Sequence, residues 1–194
     1  MFETLSMIGL GYIGLPTAAL IARSGCKVTG VDVSQHVVDT VNSGKVHIEE
    51  VDLDGLVQGV VARGMLRTSL QVEPADVFVI AVPTPLTADR KPDLAFVEAA
   101  CKTIGENLKT PALIINESTS FPGTVRNLIK PEIEKYSGGS IQHMYAVSPE
   151  RVDPGRTDFN QKNTPRLYAG LTSEASEKTR DFYSKFCDNL VEVS

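Results

Sequence analysis

Along the whole chain, short apolar runs rich in β-branched residues alternate with longer segments of helical period, a pattern that demands a parallel sheet covered by helices. The runs are Leu5 to Gly9, Lys27 to Asp32, Val77 to Pro83, Ala112 to Glu117, Met144 to Val147, Arg166 to Gly170 and Leu190 to Val193. Several are apolar throughout, as strands buried on both faces are. A minor strand is expected near Met65 to Thr68. Between the runs stand helix starts: Ser34 before Val37, Val38 and Val41; Asp93 before Phe96, Val97 and Ala100; Ser173 before a segment with Phe182 and Phe186. Each offers a side-chain oxygen to cap orphan N–H groups. Leu53, Leu56, Val57, Val60 and Val61 form one apolar helical face, whose ends are blurred by Gly55, Gly59 and Gly64. The expected fold is α/β, a Rossmann-type doubly wound, mostly parallel sheet with helices on both faces.

Length and charge bound the function. A chain of 194 residues buries roughly 70% of its unfolded surface in one domain with a sizeable core. With 19 basic against 24 acidic residues and a net charge of −5, no nucleic-acid partner is expected, because general binding to that polyanion needs the opposite sign. Cys26, Cys101 and Cys187 are too scattered for a metal or redox motif, so no metal site is expected. The longest apolar runs, such as Val77 to Val82, are too short to span a bilayer, and Glu3 stands where a signal peptide needs basic residues. A cytoplasmic protein without a membrane partner is the natural expectation.

The fingerprint Gly9-Leu10-Gly11-Tyr12-Ile13-Gly14 follows the first strand directly and opens a helical segment with Leu15, Ala18, Ala19 and Ile21. In such a turn the first Gly permits the reversal, the second lets the backbone approach a pyrophosphate, and the third packs helix against strand. The helix N-terminus offers free N–H groups to the anion. Asp32 ends the second strand roughly 20 residues on, where a carboxylate accepts the adenosine ribose hydroxyls. A 2′-phosphate would meet a like charge there, and Val33, Ser34, Gln35 and His36 supply no Arg or Lys to receive it. NAD rather than NADP is therefore the expected cofactor. Thr84, in Ala81-Val82-Pro83-Thr84-Pro85, and Thr119, in Asn116-Glu117-Ser118-Thr119-Ser120-Phe121-Pro122-Gly123-Thr124, both follow strand C-termini, the edge where open α/β sheets bind ligands. Ser148-Pro149-Glu150-Arg151-Val152-Asp153-Pro154-Gly155 puts a carboxylate and a guanidinium at a third strand end. The loose stretch from Asp153 to Pro165 is a candidate functional loop.

Taken in order and spacing, GLGYIGLP, VDVSQHVVDTVNSG, AVPTP, ESTSFPGT and SPERVDPG resemble the nucleotide-sugar 6-dehydrogenase family, closest to its UDP-N-acetylhexosamine branch. The resemblance covers essentially the whole chain. It implies oxidation of a sugar C6 alcohol to a carboxylate with two NAD reduced, through a thiohemiacetal and thioester on an enzyme cysteine, in surface-polysaccharide precursor synthesis. By match of motif it assigns Tyr12, Ile13, Asp32, Thr84 and Thr119 to NAD, and Arg151 and Val152 to the sugar nucleotide. Thr119 and Glu150 inherit a role in orienting or activating water. A purely structural role for Glu150 and Arg151 is a solvated or mutually paired loop couple. Relatives acting on UDP-glucose look like SPEFLRES, but their second Glu is Pro154 here. The family's nucleophilic Cys, in a GxGxGGxC stretch, and its catalytic Lys and Asn have no counterpart in this sequence. The resemblance thus implies that residues 1–194 are the N-terminal NAD-binding domain of a longer enzyme, which forms a homodimer through a central helix absent here. This chain alone would be a catalytically silent monomer. Two other readings share the fingerprint: the cofactor domain of a β-hydroxyacid dehydrogenase, which has Met in place of Tyr12-Ile13 and lacks SPERVDPG, and a free-standing NAD(H)-sensing module.

Overall fold

The computed structural model describes residues 2–151 and 163–193. Within them the apolar runs become strands β1 (Thr4–Ile8), β2 (Lys27–Val31), β3 (Leu66–Ser69), β4 (Val77–Ile80), β5 (Leu113–Asn116), β6 (Met144–Val147), β7 (Arg166–Gly170) and β8 (Leu190–Glu192). They form one sheet in the order β3-β2-β1-β4-β5-β6-β7-β8. The order reverses between β1 and β4, which opens a crevice at their carboxyl ends. β1, β2, β4 and β5 stop one to three residues before the ends of their runs, so Gly9, Asp32, Pro83 and Glu117 fall past strand ends, on the crevice edge, while β6 and β7 coincide with theirs.

The helices are α1 (Gly14–Arg23), α2 (Gln35–Asn42), α3 (Leu53–Ala62), α4 (Ala95–Asn107), α5 (Lys130–Ser137) and α6 (Ser173–Tyr183). Strand alternation sorts the core into two layers. Leu5, Met7, Val77, Val79, Leu113 and Ile115 pack with Leu15, Ile21, Val57, Val60 and Phe182, so α1, α3 and α6 cover one face. Ile8, Phe78, Ile80 and Ile114 pack with Val97, Ile104, Ile129 and Ile133, so α4 and α5 cover the other. Each such fully buried side chain contributes roughly 1.5–3 kcal/mol before entropy is counted. With both faces covered, the chain carries its own core.

Local chemistry sets the ends. The Ser34 hydroxyl caps α2 by accepting from the Val37 amide at 3.4 Å. The N-cap position of α4 is Leu94, which offers no side-chain cap; Asp93, one residue before it, accepts from Ala95 N–H through Oδ1 at 3.0 Å. For α6 the cap is Thr172, not Ser173: its hydroxyl accepts from Ala175 N–H at 3.2 Å. The extended backbone an N-cap needs is found at Thr172, one residue before the serine. α3 runs through Gly55 and Gly59 unbroken and stops before Gly64, whose φ of +67° ends it cheaply. α5 has no counterpart among the sequence expectations. Its entry is a π-helical turn, Val125–Ile129, in which Lys130 N–H donates to the Val125 carbonyl; Pro131, which lacks an N–H, follows at once.

β1 to β6 run parallel wherever they pair, but β7 is antiparallel to β6, with Ala146 opposite Gly170 and Val147 opposite Ala169. The reversal brings the first residue of β7, Arg166, to the edge where β5 and β6 end.

Candidate functional site

The turn after β1 is built as the fingerprint requires. Gly9 has φ +95°, and a Cβ there would strike the Ala81 carbonyl. A Cβ on Gly14 would collide with the Gly9 carbonyl oxygen. Gly11 differs from both: a Cβ there would meet no protein atom within 4 Å. The middle glycine is therefore not demanded by the protein's own packing, which leaves open space beside the turn for a ligand. α1 has no side-chain cap and no acidic residue in its first turn. The amides of Gly11, Tyr12 and Ile13 have no partner among the described residues. Uncapped N–H groups facing open space suit a pyrophosphate.

Asp32 is half-buried and tied at both oxygens, Oδ2 accepting from Leu10 N–H at 3.0 Å and Oδ1 from Ser34 N–H at 2.9 Å. A carboxylate has about four acceptor sites, so two remain for ribose hydroxyls. Capping and ligand binding are compatible here. Tyr12 is exposed and Ile13 half-buried at the mouth of the turn.

Across the crevice, Ser118 staples the ends of β4 and β5. Its hydroxyl accepts from Val82 N–H at 2.9 Å and lies 2.8 Å from the Val82 carbonyl. Asn116 Nδ2 reinforces the turn by donating to Ser118 O at 3.0 Å and Ser120 Oγ at 3.1 Å. These bonds fix the backbone around Thr119, whose side chain is exposed; Thr84 is half-buried. Neither hydroxyl has a partner among the described residues.

Beside this edge is a cluster that the sequence reading did not assemble. Arg166 donates through Nη1 to Glu117 Oε1 at 2.7 Å and through Nη2 to Glu150 Oε2. Tyr183 O–H donates to the same Glu117 oxygen at 2.5 Å, and the guanidinium lies 4.5 Å from the Tyr183 ring centroid. Side-chain exposure is 3% for Arg166, 0% for Glu117 and 6% for Glu150, so two acids and one base share a nearly dry site. Burial acts against the Arg166 charge, but Glu117, Tyr183 and Glu150 outweigh it and hold the guanidinium protonated. Burial also pushes the Glu117 carboxyl above its ordinary value, with Arg166 opposing. Glu117 Oε2 has no hydrogen-bond partner among the described residues. The same burial, with Glu117 nearby, raises the Tyr183 phenol far above its usual range.

Glu150 is thus joined to Arg166, while Arg151 reaches it only through a backbone N–H, 2.7 Å from Glu150 Oε1. The Arg151 side chain is exposed. Val152 and most of the Asp153 to Pro165 stretch lie outside the described residues. An arginine opening an otherwise apolar strand, with acids closing two earlier strands, is the signal in the sequence that points to this cluster. All three thiols are buried and none is in a disulfide. Burial raises Cys26 and Cys187 to about 11 and Cys101 to about 12.

A glycine turn that leaves ligand space at an uncapped helix, an acid closing β2 and a crevice at a strand-order reversal define a Rossmann-type dinucleotide-binding domain. Residues 3–187 match the UDP-glucose/GDP-mannose dehydrogenase family, NAD binding domain, and the chain belongs to that family. NAD is accordingly its cofactor. A UDP-N-acetyl-D-mannosamine dehydrogenase of Escherichia coli is 40% identical over 195 residues, covering 96% of this chain and 46% of the relative. An NDP-N-acetyl-D-galactosaminuronic acid dehydrogenase of Ralstonia solanacearum is 42% identical over 193 residues, covering 95% of this chain and 46% of the relative. The solved structure of a UDP-D-ManNAc dehydrogenase from Pyrococcus horikoshii superposes with a TM-score of 0.92 at 34% identity, over 98% of this chain and 47% of that one. The chain spans about half the length of the curated relatives it matches. Among the described residues no helix is long and apolar enough to cross a membrane.

Proposed function

We propose that this chain is the NAD-binding half of a UDP-N-acetylhexosamine 6-dehydrogenase, which oxidises the sugar C6 alcohol to a carboxylate in surface-polysaccharide precursor synthesis. The observation that carries the reading is the convergence of the glycine turn, Thr84, Thr119 and Glu150 on one edge of the sheet, in a chain alike over its whole length to enzymes named for N-acetylated sugar nucleotides. When bound, NAD supplies the hydride acceptor for each of two oxidations. The protein's part is to bind and orient. Gly9, Gly11 and Gly14 shape the cradle, and the amides of Tyr12 and Ile13 face the pyrophosphate. Asp32 takes the ribose hydroxyls, and Thr84 and Thr119 offer hydroxyls along the crevice. Arg151, with Val152, receives the sugar nucleotide through donors fixed in a fork. Thr119 and Glu150 orient the water that becomes the second carboxylate oxygen.

Pro154, where UDP-glucose relatives carry a second Glu, supports an N-acetylated substrate over UDP-glucose. The covalent thiol chemistry belongs outside residues 1–194, since Cys26, Cys101 and Cys187 are buried and hard to ionise. Three buried, unbridged thiols accord with a cytoplasmic protein. The complete enzyme is a homodimer and the 194-residue chain a monomer on this reading.

The test is to supply NAD with each UDP-N-acetylhexosamine, and with UDP-glucose, to the complete protein encoded around this chain. Two NADH per N-acetylated sugar nucleotide and none from UDP-glucose are expected, while the 194-residue chain binds NAD without reducing it. NADH production by residues 1–194 alone would overturn the division of labour.

A further inference from the structure

Arg166, Glu117 and Tyr183 sit on the edge where the proposed chemistry takes place, yet that chemistry assigns a part to none of them. A buried ion-pair cluster is a poor device for stability alone, because desolvation offsets most of what the charges gain and apolar residues of equal volume serve as well. The cluster has a direction. Glu117 is sealed from solvent at the end of β5 and held on one oxygen by both Tyr183 O–H and Arg166 Nη1. Arg166 is further pinned by the Tyr183 ring 4.5 Å away and by Ser148 Oγ at 3.5 Å. Its second nitrogen points the other way, to Glu150, which stands past the end of β6 beside the exposed Arg151. One side of the fork is anchored inward, and the other holds the nearly buried Glu150 carboxylate next to the exposed Arg151. A planar, rigid fork can do both at once; the single ammonium of a lysine cannot keep that geometry.

We infer that Arg166 is a positioning residue: anchored by buried Glu117 and Tyr183, its guanidinium fixes the Glu150 carboxylate in one orientation at the carboxyl edge of the sheet, ready to orient water. The inference rests on the role proposed for Glu150 above, but the placement itself can be read without turnover. The antiparallel run of β7 then has a purpose, since a parallel strand would start at the opposite edge and leave Arg166 far from both acids.

The first arm of the test uses the 194-residue chain, with carboxyl-labelled glutamate followed by NMR at neutral pH. Arg166→Lys and Glu117→Gln should each shift and broaden the Glu150 carboxyl resonance; Glu117 is not bonded to Glu150, so beyond the direct repulsion of the two like charges its effect passes through Arg166. The Arg166 Nη protons, resolved by restricted rotation in the native chain, should merge in Glu117→Gln. A Glu150 resonance unmoved in both folded variants overturns the inference. The second arm uses the complete enzyme. Arg166→Lys should lower kcat by about 10- to 100-fold, the cost of misplacing one reacting group, while KM for NAD stays within about two-fold. A merely structural arginine would instead lower the melting temperature and leave kcat per folded molecule unchanged, which also overturns the inference. If Arg166→Lys does not fold, Glu117→Gln, which keeps an acceptor for Arg166 and Tyr183, carries the same comparison with a loss of about 3- to 10-fold. A native enzyme that reduces no NAD with any UDP-N-acetylhexosamine would sink the proposed function, and the NMR arm would still decide where Arg166 holds Glu150.

Discussion

Asp32 Oδ2 accepts the Leu10 amide at 3.0 Å, so the acid that closes β2 is fastened to the glycine turn that it flanks. The other oxygen is held by Ser34 N–H at 2.9 Å, which leaves the carboxylate no freedom to swing aside for a 2′-phosphate. The chain should therefore bind NAD more tightly than NADP. Asp32→Ala should narrow the gap by weakening NAD, at a modest cost in stability, because the bonds to Leu10 and Ser34 are lost too. Calorimetric titration of both dinucleotides into the native chain and the variant checks this, and equal affinities in the native chain would remove the argument.

Gly11 and Gly14 should part company under the same substitution. Gly14→Ala drives a methyl into the Gly9 carbonyl, so the first turn of α1 must shift; overpacking of this kind typically costs about 1–3 kcal/mol. At Gly11 the methyl meets no protein atom, so Gly11→Ala should leave the melting temperature near the native value. Its effect should fall on NAD, whose pyrophosphate would occupy the space beside the turn. Thermal melts with and without NAD separate the two: Gly14→Ala lowers both curves, and Gly11→Ala loses only the shift that NAD brings. Unaltered NAD affinity in Gly11→Ala would contradict the cradle.

The centre of the strand ladder is legible because the runs that become β1, β4 and β5 are apolar enough to be buried on both faces, whereas the edge strands β3 and β8 are only partly buried; the helices declare themselves by caps such as Ser34. Local chemistry also explains what was not readable. In Val125 to Ser137 the helical period is masked by Pro131 and by a π-turn that spaces its bonds differently, so no single period fits. The direction of β7 is set by its partner β6, and no local pattern in Arg166 to Gly170 distinguishes a parallel from an antiparallel neighbour. That single unknown hid the Arg166 cluster, since Glu117 and Arg166 are 49 residues apart in sequence. Thr84, Thr119 and Asp32 needed no such knowledge, because each follows directly from where its own strand stops.

Tyr183 and Thr119 should show opposite balances of stability and function. Tyr183→Phe keeps the ring against Arg166 but removes the donor to Glu117, leaving that buried oxygen with one partner fewer. Hydrogen bonds to charged groups are worth roughly 1.5–3 kcal/mol, and a loss of that order should appear in the urea midpoint. The exposed Thr119 hydroxyl has no protein partner among the described residues, so Thr119→Val should move the midpoint by no more than about 0.5 kcal/mol. In the complete enzyme the order should invert, with Thr119→Val lowering kcat/KM by more than Tyr183→Phe does. A destabilised Thr119→Val would instead mark that residue as structural.

The three cysteines give the fold a pH dependence whose sign can be worked out. Burial raises Cys26 and Cys187 to about 11 and Cys101 to about 12, from an ordinary value of 9.0. A group whose pKa is higher folded than unfolded keeps its proton longer in the native state, so its contribution is whole below the unfolded value. As pH climbs from about 9 through the folded values the unfolded chain sheds protons first, and stability must fall. The raised Tyr183 phenol pulls in the same direction. Urea midpoints should therefore be level between pH 7 and 8 and decline above pH 9, and Cys101→Ala, which removes the largest thiol shift, should flatten that decline. Reactivity follows the same logic. At pH 8 a thiol with a pKa near 11 is ionised in about one molecule in a thousand, so a disulfide reagent should label the native chain only over hours, and all three thiols at once in guanidinium. A rapid reaction of one thiol in the folded chain would show a cysteine that is neither buried nor quiet, and would reopen the assignment of the covalent chemistry to the other half of the enzyme.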